Sequence, residues 1–454
     1  MSATWKPVGV LALAFSAVML MPSAALAAGV ANPTFTKDIA PIFQEKCEAC
    51  HRTDSIAPMS LVTFEEARPW ARSIKNRVET HQMPPWNIDR TVGIQEFKND
   101  RSLTDDQVET IVRWIDNGAP KGDPKDMPPP VKWPDDQGWV LAKQLGQAEP
   151  DLVIHSTPWT QKAGANDTWW RPVVASGLKE DRWVRAIEIR PSTVKGRKIT
   201  HHAIARLEQV ETDALAQNEP DPNGVPQAGT FMEWAVGKQG EVMRPNSGKL
   251  MKANSKIVWD IHYSNGGEDI TDDVQLGIYF YPKGQEPKFR QVLHLMGATN
   301  AGGVNIPPNV VKSTEGFFVM RENGRVESFQ PHMHLRGKAM QMDAILPNGQ
   351  VQVLSFVREY NFNWMSTYLY ADDAAPLLPK GTILKITGWH DNTAANKNNP
   401  DPNVWVGYGD RTVDEMAHAW VNVTYMGDDD YKAELAARKA RLAEKARTTQ
   451  QQQQ

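Results

Sequence analysis

Gln330-Pro331-His332-Met333-His334-Leu335-Arg336 is the stretch whose reading decides the fold class. On an extended strand a His-x-His pair sends both imidazoles to one face. Phe329, Met333 and Leu335 then fall on the other face, so one side packs into a core while the other presents nitrogen donors to a cavity. Two surface histidines that happen to alternate would look the same, because a pair without a third ligand specifies no metal.

Three more places share this texture. His201-His202 follows Ile199-Thr200, His262 lies in Ile257-Val258-Trp259-Asp260-Ile261-His262-Tyr263, and Met416 lies in Asp414-Glu415-Met416-Ala417-His418. Ile257, Trp259, Ile261 and Tyr263 occupy one face of the second stretch, and His262 the other. Met416, His418 and Trp420 likewise share a face opposite Ala417, Ala419 and Val421. From Asp151 to about Met426 the chain consists of short alternating runs separated by Gly, Pro, Asn and Asp clusters, the pattern of antiparallel sandwiches.

The N-terminal region reads differently. Residues 1–27 carry Lys6, an apolar run from Val8 to Met21, Pro22 and small residues suited to cleavage after Ala27. This is the pattern of a secretory leader, with an uncleaved anchor as the alternative, and it implies a periplasmic or secreted protein. The chain's only cysteines stand in Cys47-Glu48-Ala49-Cys50-His51, a C-x-x-C-H motif in which two thioethers fix a c-type haem and the histidine becomes an axial iron ligand. A redox pair, a partial zinc site and a plain disulfide are the alternatives.

Ile39, Ile42, Phe43 and Cys47 recur at helical spacing ahead of that motif. Behind it, Thr104-Asp105-Asp106-Gln107 is a capping box opening a helix with Val108, Ile111, Val112 and Ile115 on one stripe, ended by Asn117-Gly118. Residues 33–125 thus resemble a small class I cytochrome c, an all-α domain carrying one covalent haem c. That resemblance implies a methionine as second axial ligand. Met83, in Met83-Pro84-Pro85-Trp86, is preferred, with Met59 and then His81 as rivals.

Seven prolines between Pro120 and Pro150 make 126–150 an extended connector. Trp133 and Trp139 within it favour docking over a loose tether. Residues 428–454 form a charged tail, helix-friendly from Tyr431 to Arg447 and ending in five glutamines. It reads as a solvated tail, with contact to a partner or an anionic membrane as the lesser alternative. Lys plus Arg (50) nearly balances Asp plus Glu (54), so no charge footprint points to nucleic acid, and a small or neutral ligand fits better.

The order His-His, His-Tyr, His-x-His, Asp-Glu-Met over about 150–427 resembles the ascorbate-dependent type II copper monooxygenases, the family of peptidylglycine α-hydroxylating and dopamine β-monooxygenases. The resemblance implies two jelly-roll-like all-β sandwich domains, here 151–287 and 288–427, facing each other across an open cleft. It places an electron-transfer copper at His201, His202 and His262, and a catalytic, oxygen-binding copper at His332, His334 and Met416. The implied reaction inserts one atom of O2 into a C–H bond of a small organic substrate, with an external electron donor feeding the haem. A thioether suits Cu(I), the state that meets dioxygen.

Two departures stand out. With Cys47 and Cys50 engaged no disulfide is available, and the family's clamp for a substrate carboxylate is missing, since its positions read Gln330, His418 and Trp420. Those three become candidate pocket residues, better matched to a neutral or aromatic substrate. A blue-copper centre needs a further cysteine. A zinc hydrolase would leave Met416 and the electron carrier without purpose. An exported copper-binding or electron-transfer protein without catalysis is the competing reading.

Overall fold

The computed structural model describes residues 30–53, 55, 57–133, 138–209, 229–235, 238, 240–299 and 302–452. The leader expected over 1–27, residues 134–137 of the connector and the last two tail residues lie outside them.

Two β cores organise the chain. In the first, strands Leu152–His155, Arg182–Pro191, Ser247–Met251 and Val274–Phe280 form one layer, and Thr200–Glu208, Gly229–Ala235 and Lys256–Tyr263 form the centre of the other. Ile257, Trp259, Ile261 and Tyr263 all enter the core between these layers, together with Ile187, Ile189, Leu276 and Ile278. In the second, Phe289–Ala298, Ala417–Met426, Asn323–Val326 and Ser328–His332 face the sheet of Val311–Val319, Ile383–Asp391, Gly337–Ile345 and Val351–Val357. Phe329, Met333, Met340, Met342, Leu384, Ile386, Val421 and Val423 fill the space between.

The expectation of an all-α cytochrome c domain ahead of two all-β jelly-roll-like sandwich domains is corrected at its first half. The protein is mostly β, with 36% of residues in strands against 19% in helices, and the helices of the N-terminal region are few and short. They are Ala40–Lys46, Phe64–Ala67, Ala71–Glu79 and Asp105–Asp116, with short π- and 3-10 turns alongside. Pro84 and Pro85 interrupt the chain after the third of these, and proline removes the amide a helix needs.

Trp86, Ile88, Ile94 and Phe97 then pack on the second β core, and bridges pair Ile88 with Val357 and Phe97 with Tyr370. Apolar residues that looked available to a helical domain therefore belong to the β architecture. The two β units share a sheet. Phe289 and Arg290 pair in parallel with Ser247 and Gly248, joining one layer of each unit into an 11-stranded sheet.

The capping box at Thr104 forms: its hydroxyl accepts from Gln107 N–H at 3.2 Å and Gln107 Oε1 accepts from Thr104 N–H at 3.0 Å. Ile111 and Trp114 are the residues that this helix buries fully, so its apolar stripe is rotated towards Trp114 from the one expected. Both connector tryptophans are docked. Trp133 donates to Glu48 Oε2 at 3.2 Å, and the Arg190 guanidinium sits 4.1 Å from the Trp139 ring. The tail is a helix, Asp428–Gln452, held at its start by Tyr431 to Leu377 O (3.3 Å) and Arg438 to Ala375 O (2.6 Å). Among the described residues no helix is long and apolar enough to cross a membrane.

Trp86 anchors the haem-motif region to the second β core, edge-on to Tyr368 at 4.7 Å and to Phe97 at 5.7 Å. Replacing a buried tryptophan with alanine removes its transfer free energy and leaves a cavity, costing about 3–5 kcal/mol. Trp86→Ala should therefore lower the unfolding free energy measured in denaturant by that amount and expose 86–98 to protease. A loss under about 1 kcal/mol would mean that this contact does not hold the two parts together.

Candidate functional site

His202 faces His262 directly across the strands Thr200–Glu208 and Lys256–Tyr263, and the register then slips so that Tyr263 pairs with Thr200. His201 is thus the extra residue of a β-bulge. Alternation alone would send consecutive histidines to opposite faces, whereas a bulge re-aims one of them. The ring centroids lie 5.4 Å apart for His201 and His202, 5.1 Å for His201 and His262, and 5.0 Å for His202 and His262. One ligand nitrogen from each ring lies within 4.8 Å of the other two. Imidazoles sharing an ion at a metal–nitrogen distance of about 2.0–2.1 Å have centroids roughly 4.5–5.5 Å apart, so these three fit one metal.

The surroundings favour that use. Trp169, the strand partner of His262, stacks on its ring at 4.4 Å and 9°. His262 Nε2 lies 3.1 Å from the Asp167 carboxylate, while its buried Nδ1 has no hydrogen-bond partner among the described residues. Burial, helped by the neighbouring His262, holds His201 down at about 4 and His202 well below the usual histidine range. Neutral imidazole is the form that binds metals.

The second group sits on the facing strand pair. His332 and His418 are directly opposed on Ser328–His332 and Ala417–Met426, with Gln330 opposite Trp420 two positions away. His332 lies 5.2 Å from His334 and 4.7 Å from His418, ring to ring. His334 Nδ1 is 3.1 Å from Asp414 O, which leaves Nε2 for other use. Burial keeps His334 at about 4 and His418 at about 3.

Glu415 braces this corner by accepting from the backbone N–H of His334 at 2.9 Å and of Arg336 at 2.6 Å. Burial pushes its carboxyl up to about 7. The Met416 carbonyl accepts from His390 Nε2 at 3.1 Å, and the thioether beside an imidazole of this group belongs to Met365, whose Sδ is 3.2 Å from His332 Nδ1.

The two groups lie close together. His202 and His332 are 5.9 Å apart ring to ring, and Phe362 stacks on His201 at 5.0 Å while lying edge-on to His334 at 6.1 Å. Beside them Ile204 of the first unit meets Leu293 and Trp420 of the second. Trp420 therefore packs between the units. Gln330 is buried and accepts from Thr367, with the Lys238 ammonium 3.5 Å from its Oε1.

Lys238 was not legible as a site neighbour. It sits 2.8 Å from Glu241 and 3.1 Å from Glu233, while Lys249 lies 3.0 Å from Glu241, making a buried charge cluster. Burial opposes the Glu241 charge, and the two lysines overcome it and hold that carboxyl at about 2. Met365, Phe362 and Trp169 also went unnoticed, because none lies in a histidine stretch and long-range pairing alone brings them in.

At the haem motif, Cys47 caps the Ala40–Lys46 helix, and the N–H groups of Cys50 and His51 both bond to Cys47 O, at 3.1 and 2.9 Å. Both cysteines are half-buried, and no disulfide joins them. Burial, reinforced by Glu48, pushes the Cys47 thiol up to about 12, an environment for neutral sulfur. His51 Nδ1 lies 3.3 Å from Met59 O, leaving Nε2 as the donor nitrogen. Met59 packs on the same apolar cluster as Cys47. Met83 is half-buried in the turn after Ala71–Glu79, its N–H bonded to Arg77 O at 3.1 Å.

No family model and no curated protein matches the chain. Among solved structures, the VP2 subviral particle of infectious bursal disease virus is 11% identical over 66% of this chain and 75% of that one, with a TM-score of 0.18. The Gx strain of the same virus gives 7% identity, 66% and 76% coverage, and 0.18. A Paenibacillus xanthan lyase gives 10%, 68% and 28%, and 0.16. Likenesses this weak carry no information about fold or activity.

Lys238 ties the first unit to Gln330 next to the second histidine group. Lys238→Met would leave Glu233 and Glu241 buried with only Lys249 to compensate, and breaking a buried pair in this way costs about 3–5 kcal/mol. Urea unfolding checks it. A change under about 1 kcal/mol would show that the cluster tolerates the loss.

Proposed function

We propose that this chain is an exported copper-dependent monooxygenase, with one copper held by His201, His202 and His262, and a second held by His332 and His334 with a methionine thioether. The observation that carries the reading is the convergence of these five imidazoles between two β units, His262, His332 and His334 buried and His201 and His202 half-buried, with His262 Nδ1 left without a hydrogen-bond partner among the described residues. Burying such nitrogens costs a few kcal/mol unless something binds them. Copper there would supply electron transfer and O2 activation, and haem at Cys47, Cys50 and His51 would deliver electrons one at a time.

The chain's own residues do the rest. The bulge at His201 turns the imidazoles together, Asp414 O orients His334, and the Phe362, Trp169 and Trp420 rings exclude water around the histidines. Gln330 is held by Thr367 and offers no cation of its own, which suits a neutral or aromatic small molecule over a carboxylate-tailed peptide. His51 and Met83 are the proposed axial pair, with Met59, beside Cys47, as the rival.

The close approach of the two groups, 5.9 Å between His202 and His332, favours a second reading in which the copper pair passes electrons without hydroxylating anything. One experiment separates the two. The copper-loaded, reduced full chain is incubated with a metabolite extract under labelled O2, and products are sought by mass spectrometry. The monooxygenase reading expects a product gaining one labelled atom, at least about 100-fold less of it with His262→Ala. Oxygen consumption with no labelled product, or efficient turnover of glycine-extended peptides, would contradict it.

Met83→Ala should also raise the high-spin haem fraction in the visible spectrum. If Met59→Ala does so and Met83→Ala does not, the axial ligand is Met59.

A further inference from the structure

The Asp167 carboxylate reaches the first histidine group from the side, its Oδ2 3.1 Å from Nε2 of the buried His262. Asp167 stands two residues before Trp169, which pairs with His262 across the strands and stacks on its ring at 4.4 Å and 9°. Stacking fixes the plane of an imidazole but not which nitrogen points which way, since a half-turn of the ring leaves the stacked area almost unchanged. A carboxylate beside one ring nitrogen settles that choice: it holds the proton there, and the other nitrogen keeps its lone pair for a metal. In His262 that other nitrogen is Nδ1, buried without a hydrogen-bond partner among the described residues. His201 Nδ1 and His202 Nδ1 lie 3.2 Å apart, close to the roughly 3.3–3.4 Å between two nitrogens bound at about 2.0–2.1 Å to a tetrahedral ion.

Asp167 is in turn held by the other β unit. Thr412 Oγ1 donates to the same Oδ2 at 3.0 Å. Nearby, Arg171 bridges Asp260 of the first unit at 3.0 Å and Asp410 of the second at 2.7 Å. The stretch that supplies Asp410 and Thr412 runs on to Asp414, whose carbonyl oxygen lies 3.1 Å from His334 Nδ1. Residues 410–414 therefore touch both histidine groups, His262 through Asp167 and His334 directly. Asp167 itself is exposed and belongs to neither apolar core, so replacing it leaves the packing of both intact.

Resting on the copper reading above, we propose that Asp167 is a positioning residue of the first copper site: it holds Nε2 of His262 so that Nδ1 meets the ion, and Thr412 of the second unit keeps it in place. An anion on the far side of a ligand imidazole also favours the more highly charged Cu(II) over Cu(I), which lowers the potential of that site.

The test uses the full chain loaded with copper and compares the unsubstituted protein with D167N, D167A, T412V and H262A, each checked by circular dichroism and melting. Stepwise copper affinities come from competition with a chromophoric chelator, the first-site step being the one lost in H262A. A redox titration gives the first-site potential, and spin-echo modulation of the Cu(II) signal reads the remote imidazole nitrogens, those not bound to copper. The expected result is a first-site affinity at least about 10-fold weaker in D167A, a smaller loss in T412V and a higher first-site potential in D167N, with the second step unchanged in all three. The modulation from one remote nitrogen should shift in D167A. A first site that keeps its affinity, potential and modulation in D167A and D167N would overturn the role of Asp167 and leave the copper reading standing. Weaker binding in D167A with potential and modulation unchanged would reduce the contact to a structural one and overturn the assignment as well. T412V indistinguishable from the unsubstituted protein would overturn the part given to Thr412. Fewer than two coppers in the unsubstituted protein, or no step lost in H262A, would overturn the copper reading, and this assignment with it.

Discussion

Imidazoles buried without hydrogen-bond partners are the constraint on which the rest of the structure depends. Among the described residues neither ring nitrogen of His418 nor Nδ1 of His262 has a hydrogen-bond partner, and His201, His202, His332 and His334 are all pushed towards the neutral form by burial. Desolvated like this, a histidine does not protonate near neutral pH, and its lone pairs are held ready in a low-dielectric gap. A soft or borderline cation is the chemical partner that turns such a gap from a cost into a stabilising feature.

Holding that gap open takes a rigid frame on both sides. The 11-stranded sheet that runs through both β units joins the strands of His332 and His418 to one layer of the first unit, and that layer packs through the first core against the sheet carrying His201, His202 and His262. Buried charges brace the two ends: Lys238 with Glu233 and Glu241 beside Gln330, and Glu415 on the backbone of His334 and Arg336. Ile204, Leu293 and Trp420 supply apolar area at the same seam. The haem-motif region is tied to this frame by Trp86 and Phe97 as well as by Trp133 and Trp139 of the connector.

Period-two patterning was readable because it is local. Phe329 and Met333 enter one core and Ile257, Trp259, Ile261 and Tyr263 the other, as alternation on a half-buried strand requires. The capping box at Thr104 was readable for the same reason. What failed was everything set by long-range pairing. Trp86, Ile88 and Phe97 could serve a helical domain or a β core equally well on composition, and only the partner Val357 and Tyr370 strands decide it. The sheet shared by the two β units was not readable, because a parallel pairing of two residues, Phe289 and Arg290, leaves no signature in either segment. At the site, the bulge at His201 depends on a one-residue slip in register, and Met365 reaches His332 from a segment without alternation or helical stripe.

The central claim is that these histidines form two metal sites side by side between the β units. Diffraction from crystals of the copper-loaded full chain, recorded on either side of the copper absorption edge, tests it most directly. Two anomalous peaks are predicted, one among His201, His202 and His262 and one beside His332 and His334. A single peak shared by both groups, or none within coordination distance of either, would contradict the account.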